Sequence, residues 1–186
     1  MEKSEILNDL AAVFRWTARL DMHEGIANHF SVCSSDNDGF FINKSGSHFS
    51  QIKASDLIHV NNNNYNQLKD KPEIVDPTAL NIHGEIHKKV PHAKCILHAH
   101  SKYATALSTL KNPFLPPIDQ NTMRFFNRVA FYNDFGGLGF ESEAKKMSQS
   151  MGNYKIMMLA NHGIITSGET VAKAFDDLYY FEKACE

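Results

Sequence analysis

The sequence predicts an α/β domain in which a central, mostly antiparallel sheet is layered between helices (α-β-α). Three observations carry this expectation. Short segments with strand character come in groups, mixed with helices, whereas a doubly wound sheet needs regular alternation. The helical segments place apolar residues three and four apart, so each has one face to bury. The 186 residues suffice for one sizeable core, and 42% hydrophobic with 22% charged residues is ordinary for a globular chain.

The first helix is expected from a cap at Ser4 to Leu20, with Leu7, Leu10, Ala11, Phe14 and Ala18 at helical spacing. Residues 21–28, which include Gly25, read as a loop. Strands follow at 29–33 and 39–43, joined by the turn-rich stretch 34–39, and a third lies at 57–60. The asparagine run 61–64 is expected to be a hairpin tip. Asp76-Pro77 marks a helix start, because Asp accepts from free backbone N–H groups and Pro fits the first helical position. Pro91 disfavours helical backbone just before it, so that helix should end at Val90.

Residues 93–100 read as a strand, 103–110 as a short helix and 128–132 as a strand, followed by a flexible Gly136-Gly137. A helix at 141–151 precedes strands at 155–160 and 163–166, hinged at Asn161-His162-Gly163. Val171, Ala174, Phe175, Leu178 and Phe181 then mark a helix that runs to the last residue. No internal repeat or boundary is visible, so one domain over 1–186 is expected.

Charge and composition exclude several classes. A net charge of -2 argues against nucleic-acid binding. No run of 18 apolar residues exists, so no membrane helix is expected, and the N-terminus lacks the pattern of a secretory signal. Cys33, Cys95 and Cys185 are odd in number and form no CxxC pair, which suits free thiols in a reducing compartment and hence the cytoplasm. Ten histidines are the one excess.

Leu97-His-Ala-His100 is the strongest chemical signal. Side chains two apart on a strand share a face, so His98 and His100 present paired imidazoles. Catalytic zinc often takes three protein ligands and leaves one position open, and His162, held before Gly163, is the candidate third. Two half-exposed strand histidines and one turn histidine would give the same pattern, and the residues alone leave both readings open. His83-Gly-Glu-Ile-His87 sets two histidines on one helical face. It departs from the zincin motif, which needs the Glu directly after the first His, so packed or hydrogen-bonded helix histidines are expected. Lys44-Ser-Gly46 suits an anion site or an ordinary tight turn. Phe125-Phe126 and Tyr179-Tyr180 suit core or interface.

These segments together resemble the class II aldolase/adducin family. HGEIHKKVPHAKCILHAHS at 83–101 and ANHGIITSG at 160–168 carry the resemblance. GIANHFS at 25–31 and INKSG at 42–46 follow in the family's order, so the likeness spans almost the whole chain. The resemblance implies an antiparallel sheet flanked by helices, usually in a homotetramer. It implies a divalent ion, Zn2+ or another such as Mn2+, Co2+ or Fe2+, on His98, His100 and His162. Small-molecule reactions of the family include retro-aldol cleavage, epimerisation, dehydration and decarboxylation.

The family's acid/base glutamate falls at Ala79, four residues before His83, and its phosphate-binding serine pair at Pro77-Thr78. A C-terminal segment of the family pattern is also expected to be missing. The expectation is a metal-dependent carbon–carbon lyase, aldolase-like or decarboxylase-like, working through a metal-stabilised enolate. His29 is the catalytic candidate, with Glu24 and Asp76 as weaker proton carriers. Asn28, Lys44, Ser45, Gly46 and Thr78 are the substrate-binding candidates. The alternative is a non-catalytic, adducin-like assembly module, which the loss at Ala79 suits.

Overall fold

Strand alternation decides which side chains meet which helices. The structure, a computed structural model, describes residues 2–134 and 140–186; the expected Gly136-Gly137 link lies outside them. Helix α1 (Lys3–Arg19) leads through a loop to β1 (His29–Cys33), β2 (Phe40–Ile42) and β3 (Ile58–Val60). Helices α2 (Tyr65–Lys69) and α3 (Pro77–Lys89) precede β4 (Cys95–Ala99). Then come α4 (Lys102–Ser108), α5 (Gln120–Phe125), β5 (Val129–Tyr132), α6 (Glu141–Met151), β6 (Ile156–Leu159), β7 (Gly163–Gly168) and α7 (Val171–Cys185).

The strands form one sheet in the order β3-β2-β1-β4-β7-β6-β5. Neighbours are antiparallel except β5 and β6, which α6 joins by the crossover that a parallel pair requires. On one face Phe30, Val32, Leu97, Ala99 and Ile164 pack with Phe14 of α1, Phe125 of α5 and Leu178 and Phe181 of α7. On the other, Ile96, Met157, Leu159 and Ile165 meet Ile82 and Ile86 of α3 and Ala144, Met147 and Met151 of α6. A third cluster joins Phe40, Ile42 and Val60 to Leu68, Val75, Ala79 and Leu80. The layered, mostly antiparallel expectation therefore holds. No described helix is long and apolar enough to cross a membrane.

The helix starting at Asp76-Pro77 forms as expected: Asp76 Oδ1 accepts from the backbone N–H of Thr78 at 2.7 Å and of Ala79 at 3.2 Å. Three local expectations change. Glu2, not Ser4, is the N-cap of α1, so Ser4 lies inside the first turn. Residues 61–64 are not a hairpin tip. Asn61 Oδ1 accepts from Asn63 N at 3.0 Å and Asn64 Oδ1 from Asn61 N at 2.8 Å, and these side-chain turns start α2 instead. The short helix α5, unforeseen in the sequence, is closed by Asp119 Oδ1 accepting from Thr122 N at 2.7 Å.

Glu182 of α7 is 4% exposed and braces the end of β4. Its carboxylate accepts from Ser101 Oγ at 2.6 Å, Tyr103 N at 2.8 Å and Ala104 N at 2.9 Å, which are the otherwise free donors at the start of α4. Glu182→Ala leaves those donors buried without a partner. We expect a loss of about 3 kcal/mol, or roughly 6–12 °C in Tm, read by thermal denaturation. An unchanged Tm would show that water replaces the carboxylate.

Candidate metal centre

One end of the sheet gathers the predicted site residues. Antiparallel register pairs His29 with His98 across β1 and β4, and pairs Ala99 with Ile164 across β4 and β7. The start of β1, the ends of β2 and β4 and the start of β7 therefore meet at one rim. His98 and His100 share a face of the strand, with ring centroids 4.9 Å apart. The turn before β7 brings the His162 ring to 4.8 Å from His98 and 4.6 Å from His100. Donor atoms of the three rings all lie within 4.8 Å of one another.

The turn is built for that approach. Asn161 takes φ 55, a left-handed conformation that Asn tolerates better than most residues. A Cβ on Gly163 would stand 2.6 Å from the Ala99 carbonyl oxygen and 3.0 Å from His100 Cδ2, so only glycine lets the turn close on the strand pair.

Hydrogen bonds settle which nitrogens face inward. His98 Nδ1 lies 3.0 Å from the Ile164 carbonyl, which can only accept, so Nδ1 carries the proton. His100 Nδ1 lies 2.6 Å from Glu24 Oε2 and donates to it. His98 Nε2 is then a lone pair directed inward, and it faces His100 Nε2 at 3.1 Å. Such an approach is favourable when a proton or a cation lies between the two nitrogens. Tetrahedral zinc with bonds of roughly 2.0–2.1 Å sets its nitrogen ligands about 3.3 Å apart, so this donor set fits a divalent ion. Burial, with the neighbouring imidazoles adding to it, holds His98 well below the usual histidine range. Burial and His100 bring His162 down to about 4. Both rings are thus neutral at physiological pH, as nitrogen ligands must be.

Glu24 is the partner that sequence reading undervalued. Its loop is tied to the strand entry because Glu24 N donates to Asn28 Oδ1 at 2.7 Å. A carboxylate on the far nitrogen of a ligating histidine fixes the ring and raises its basicity. Glu24→Gln is expected to weaken metal affinity about 10–100-fold, measured by competition with a chromophoric chelator. Unchanged affinity would make this contact incidental.

The other predicted residues fall around this rim. His29 is 6% exposed, its ring centroid 4.7 Å from that of His98. Burial brings it down to about 3, against the upward pull of Asp76. Asn28 is buried, and its amide Nδ2 has no hydrogen-bond partner. Lys44, Ser45 and Gly46 follow Asn43, which is tied to the start of β1: Phe30 N donates to Asn43 Oδ1 at 3.1 Å. Lys44 and Gly46 are exposed, and Gly46 has φ 70. The Thr78 hydroxyl donates to Asp76 Oδ1 at 2.5 Å. Ala79, one turn before His83, is 1% exposed among apolar neighbours. His83 and His87 are hydrogen-bonded beneath α3, as expected, and lie outside the three-histidine cluster. A separate groove of ≈ 650 Å³, lined in part by Cys33, Tyr65, Asn81, His87 and Glu141, lies outside this cluster.

Known proteins resemble this chain in sequence and in fold. The Meiotically up-regulated gene 14 protein of Schizosaccharomyces pombe is 33% identical over 183 residues, covering 97% of this chain and 70% of the relative. Decarboxylase NovR of Streptomyces niveus is 30% identical over 167 residues, covering 88% of this chain and 61% of the relative. The solved structure of an L-fuculose 1-phosphate aldolase from Glaciozyma antarctica superposes with a TM-score of 0.83 at 28% identity, covering 98% of this chain and 71% of that one. Residues 8–186 match the family described as Class II Aldolase and Adducin N-terminal domain. With that match over nearly its whole length and the family's order of elements in its sheet, the chain belongs to the class II aldolase and adducin family.

Proposed function

We propose that the chain is a divalent-metal-dependent carbon–carbon lyase acting on a small carbonyl or carboxylated substrate. The observation that carries this is the convergence of His98, His100 and His162, whose donor atoms all lie within 4.8 Å of one another, with Nε2 of His98 facing Nε2 of His100 at 3.1 Å. These three imidazoles would hold the ion, Zn2+ or another such as Mn2+, Co2+ or Fe2+. When bound, the ion supplies Lewis-acid stabilisation of the negative charge that develops on a substrate oxygen as an enolate forms.

The chain's own residues divide the remaining work. His29 accepts or returns a proton at its ring, and the Asp76 carboxylate raises its proton affinity. Glu24 holds the His100 ring in its ligand orientation. The Asn28 amide donates to a substrate oxygen, and Lys44 with the Ser45 hydroxyl and the Gly46 backbone receives an anionic group, the Ser45 N–H being held by the Ile74 carbonyl at 2.9 Å. Thr78 steadies Asp76. Ala79 can carry no proton, which favours decarboxylation: loss of carbon dioxide leaves an enolate without first deprotonating a hydroxyl. The likeness to a decarboxylase and to an L-fuculose 1-phosphate aldolase supports both branches of the lyase reading. We also propose a homotetramer in the cytoplasm. Exposed apolar side chains such as Ile26, Phe114 and Ile118 support association, and light scattering after size exclusion tests it.

The test is metal analysis with turnover. Purified protein should hold a stoichiometric divalent ion. It should cleave members of a panel of 2-oxo acids and β-hydroxycarbonyl compounds, lose that activity to a chelator and regain it with metal. Ala79 also suits a non-catalytic assembly module of the adducin kind. Metal-free protein of ordinary stability, inert across the panel, would favour that reading.

A further inference from the structure

A polar chain runs beneath α3 where its neighbours are apolar. His29 Nδ1 lies 2.7 Å from His83 Nε2, and His83 Nδ1 lies 2.5 Å from Ser31 Oγ. Ser31 Oγ lies 2.7 Å from His87 Nε2, and His87 Nδ1 lies 2.7 Å from the Ala93 carbonyl oxygen. His83 and Ser31 are fully buried, so each link must be satisfied within the protein.

We infer that Ser31, His83 and His87 are positioning residues: their chain fixes one imidazole tautomer after another and leaves His29 Nε2 as a bare acceptor beside the three-histidine cluster. The direction follows from the anchor. A carbonyl oxygen has no proton to give, so His87 Nδ1 donates to Ala93 and His87 Nε2 is a lone pair. The Ser31 hydroxyl must then donate to His87 Nε2, and its oxygen accepts from His83 Nδ1. That leaves His83 Nε2 as a lone pair, which accepts from His29 Nδ1. Each neutral ring carries one proton, so His29 Nε2 has none. Cys33 Sγ, 3.2 Å from His87 Nδ1, shares the same proton as a weak second acceptor and does not reverse the order.

The sequence spacing builds this chain. His29 and Ser31 share the α3-facing side of β1, and His83 and His87 share one face of α3. The outer end of the chain reaches the ≈ 650 Å³ groove that His87 and Cys33 help to line, and the inner end reaches the ring 4.7 Å from His98. A bare Nε2 there selects a ligand that presents an O–H donor, such as a substrate hydroxyl. This last step rests on the lyase reading; the tautomer order does not.

The test is long-range 1H–15N correlation on the full chain labelled with 15N-histidine, recorded metal-free and zinc-loaded near neutral pH. His29, His83 and His87 should all be neutral Nδ1–H tautomers, the form that free histidine disfavours. An Nε2–H or doubly protonated His29 would overturn the inference. Ser31→Ala should leave His87 unchanged and erase the Nδ1–H preference of His83 and His29, with metal content intact. A His29 signature unmoved by that change would also overturn it. If the tautomers are as stated and no lyase activity is found, the chain stands and the functional reading alone fails.

Discussion

Replacing His98 or His100 with alanine is expected to empty the metal centre. Zinc held by four protein ligands binds with about 10–16 kcal/mol, so one ligand accounts for roughly 3 kcal/mol, or about 100-fold in affinity. The loss should exceed that for His98. Its ring is buried, and its Nδ1 bond to Ile164 ties β4 to β7, so alanine removes a ligand and leaves a cavity at once. Elemental analysis after dialysis should give near-zero metal for both variants. His92→Ala, a histidine outside the cluster, should keep a full complement. Full metal content in either the His98 or the His100 variant would mean that these imidazoles are not ligands. The same experiment separates the two functional readings, because an assembly module has no ion to lose.

The three-histidine cluster was legible in two steps, one local and one not. A two-residue period puts His98 and His100 on one strand face, whereas His162, brought back by the pairing of β4 with β7, joined them only through the family resemblance. Elements with strong boundary chemistry, such as α3 between Asp76 and Val90, were readable because that chemistry too is local. What stayed hidden depends on distant contacts. Glu24 looks like a solvated loop acid until Asn28 ties that loop beside His100, 76 residues away in sequence. Glu182 looks like an ordinary charge on an amphipathic helix until its side chain meets the start of α4. The same holds for His83 and His87. Their shared helical face was visible, but Ser31, the hydroxyl between them, sits 52 residues before His83 on another element. The asparagine run misled because side-chain turns of this kind begin helices as readily as they cap hairpins.

Acid should unfold the metal-free protein well above the range in which carboxylates titrate. Burial depresses His29 to about 3, His87 to about 4 and His162 to about 4, with His83 and His98 moved the same way. Unfolded histidine titrates near 6.5. For each of these groups the folded value lies below the unfolded one, so the unfolded chain binds more protons as pH falls. Their contribution to stability is complete above about pH 6.5 and is lost progressively down to about pH 4. A single group with a gap of this size removes about 2 kcal/mol between pH 7.5 and 5. His87 opens on a groove, where solvent screens part of that effect, but His29 and His98 are enclosed. Several such losses together match the usual total stability of about 5–15 kcal/mol. Asp76 is depressed as a carboxylate, so its own loss falls at lower pH, outside this window. Urea midpoints measured at pH 7.5, 6 and 5 should therefore fall steeply, and His87→Gln should flatten the slope by less than one proton. Bound zinc should shift the transition to lower pH, because the metal and the protons compete for the same three imidazoles. A midpoint constant from pH 7.5 to 5 would mean that the histidines beneath α3 and at the rim meet water in the folded protein.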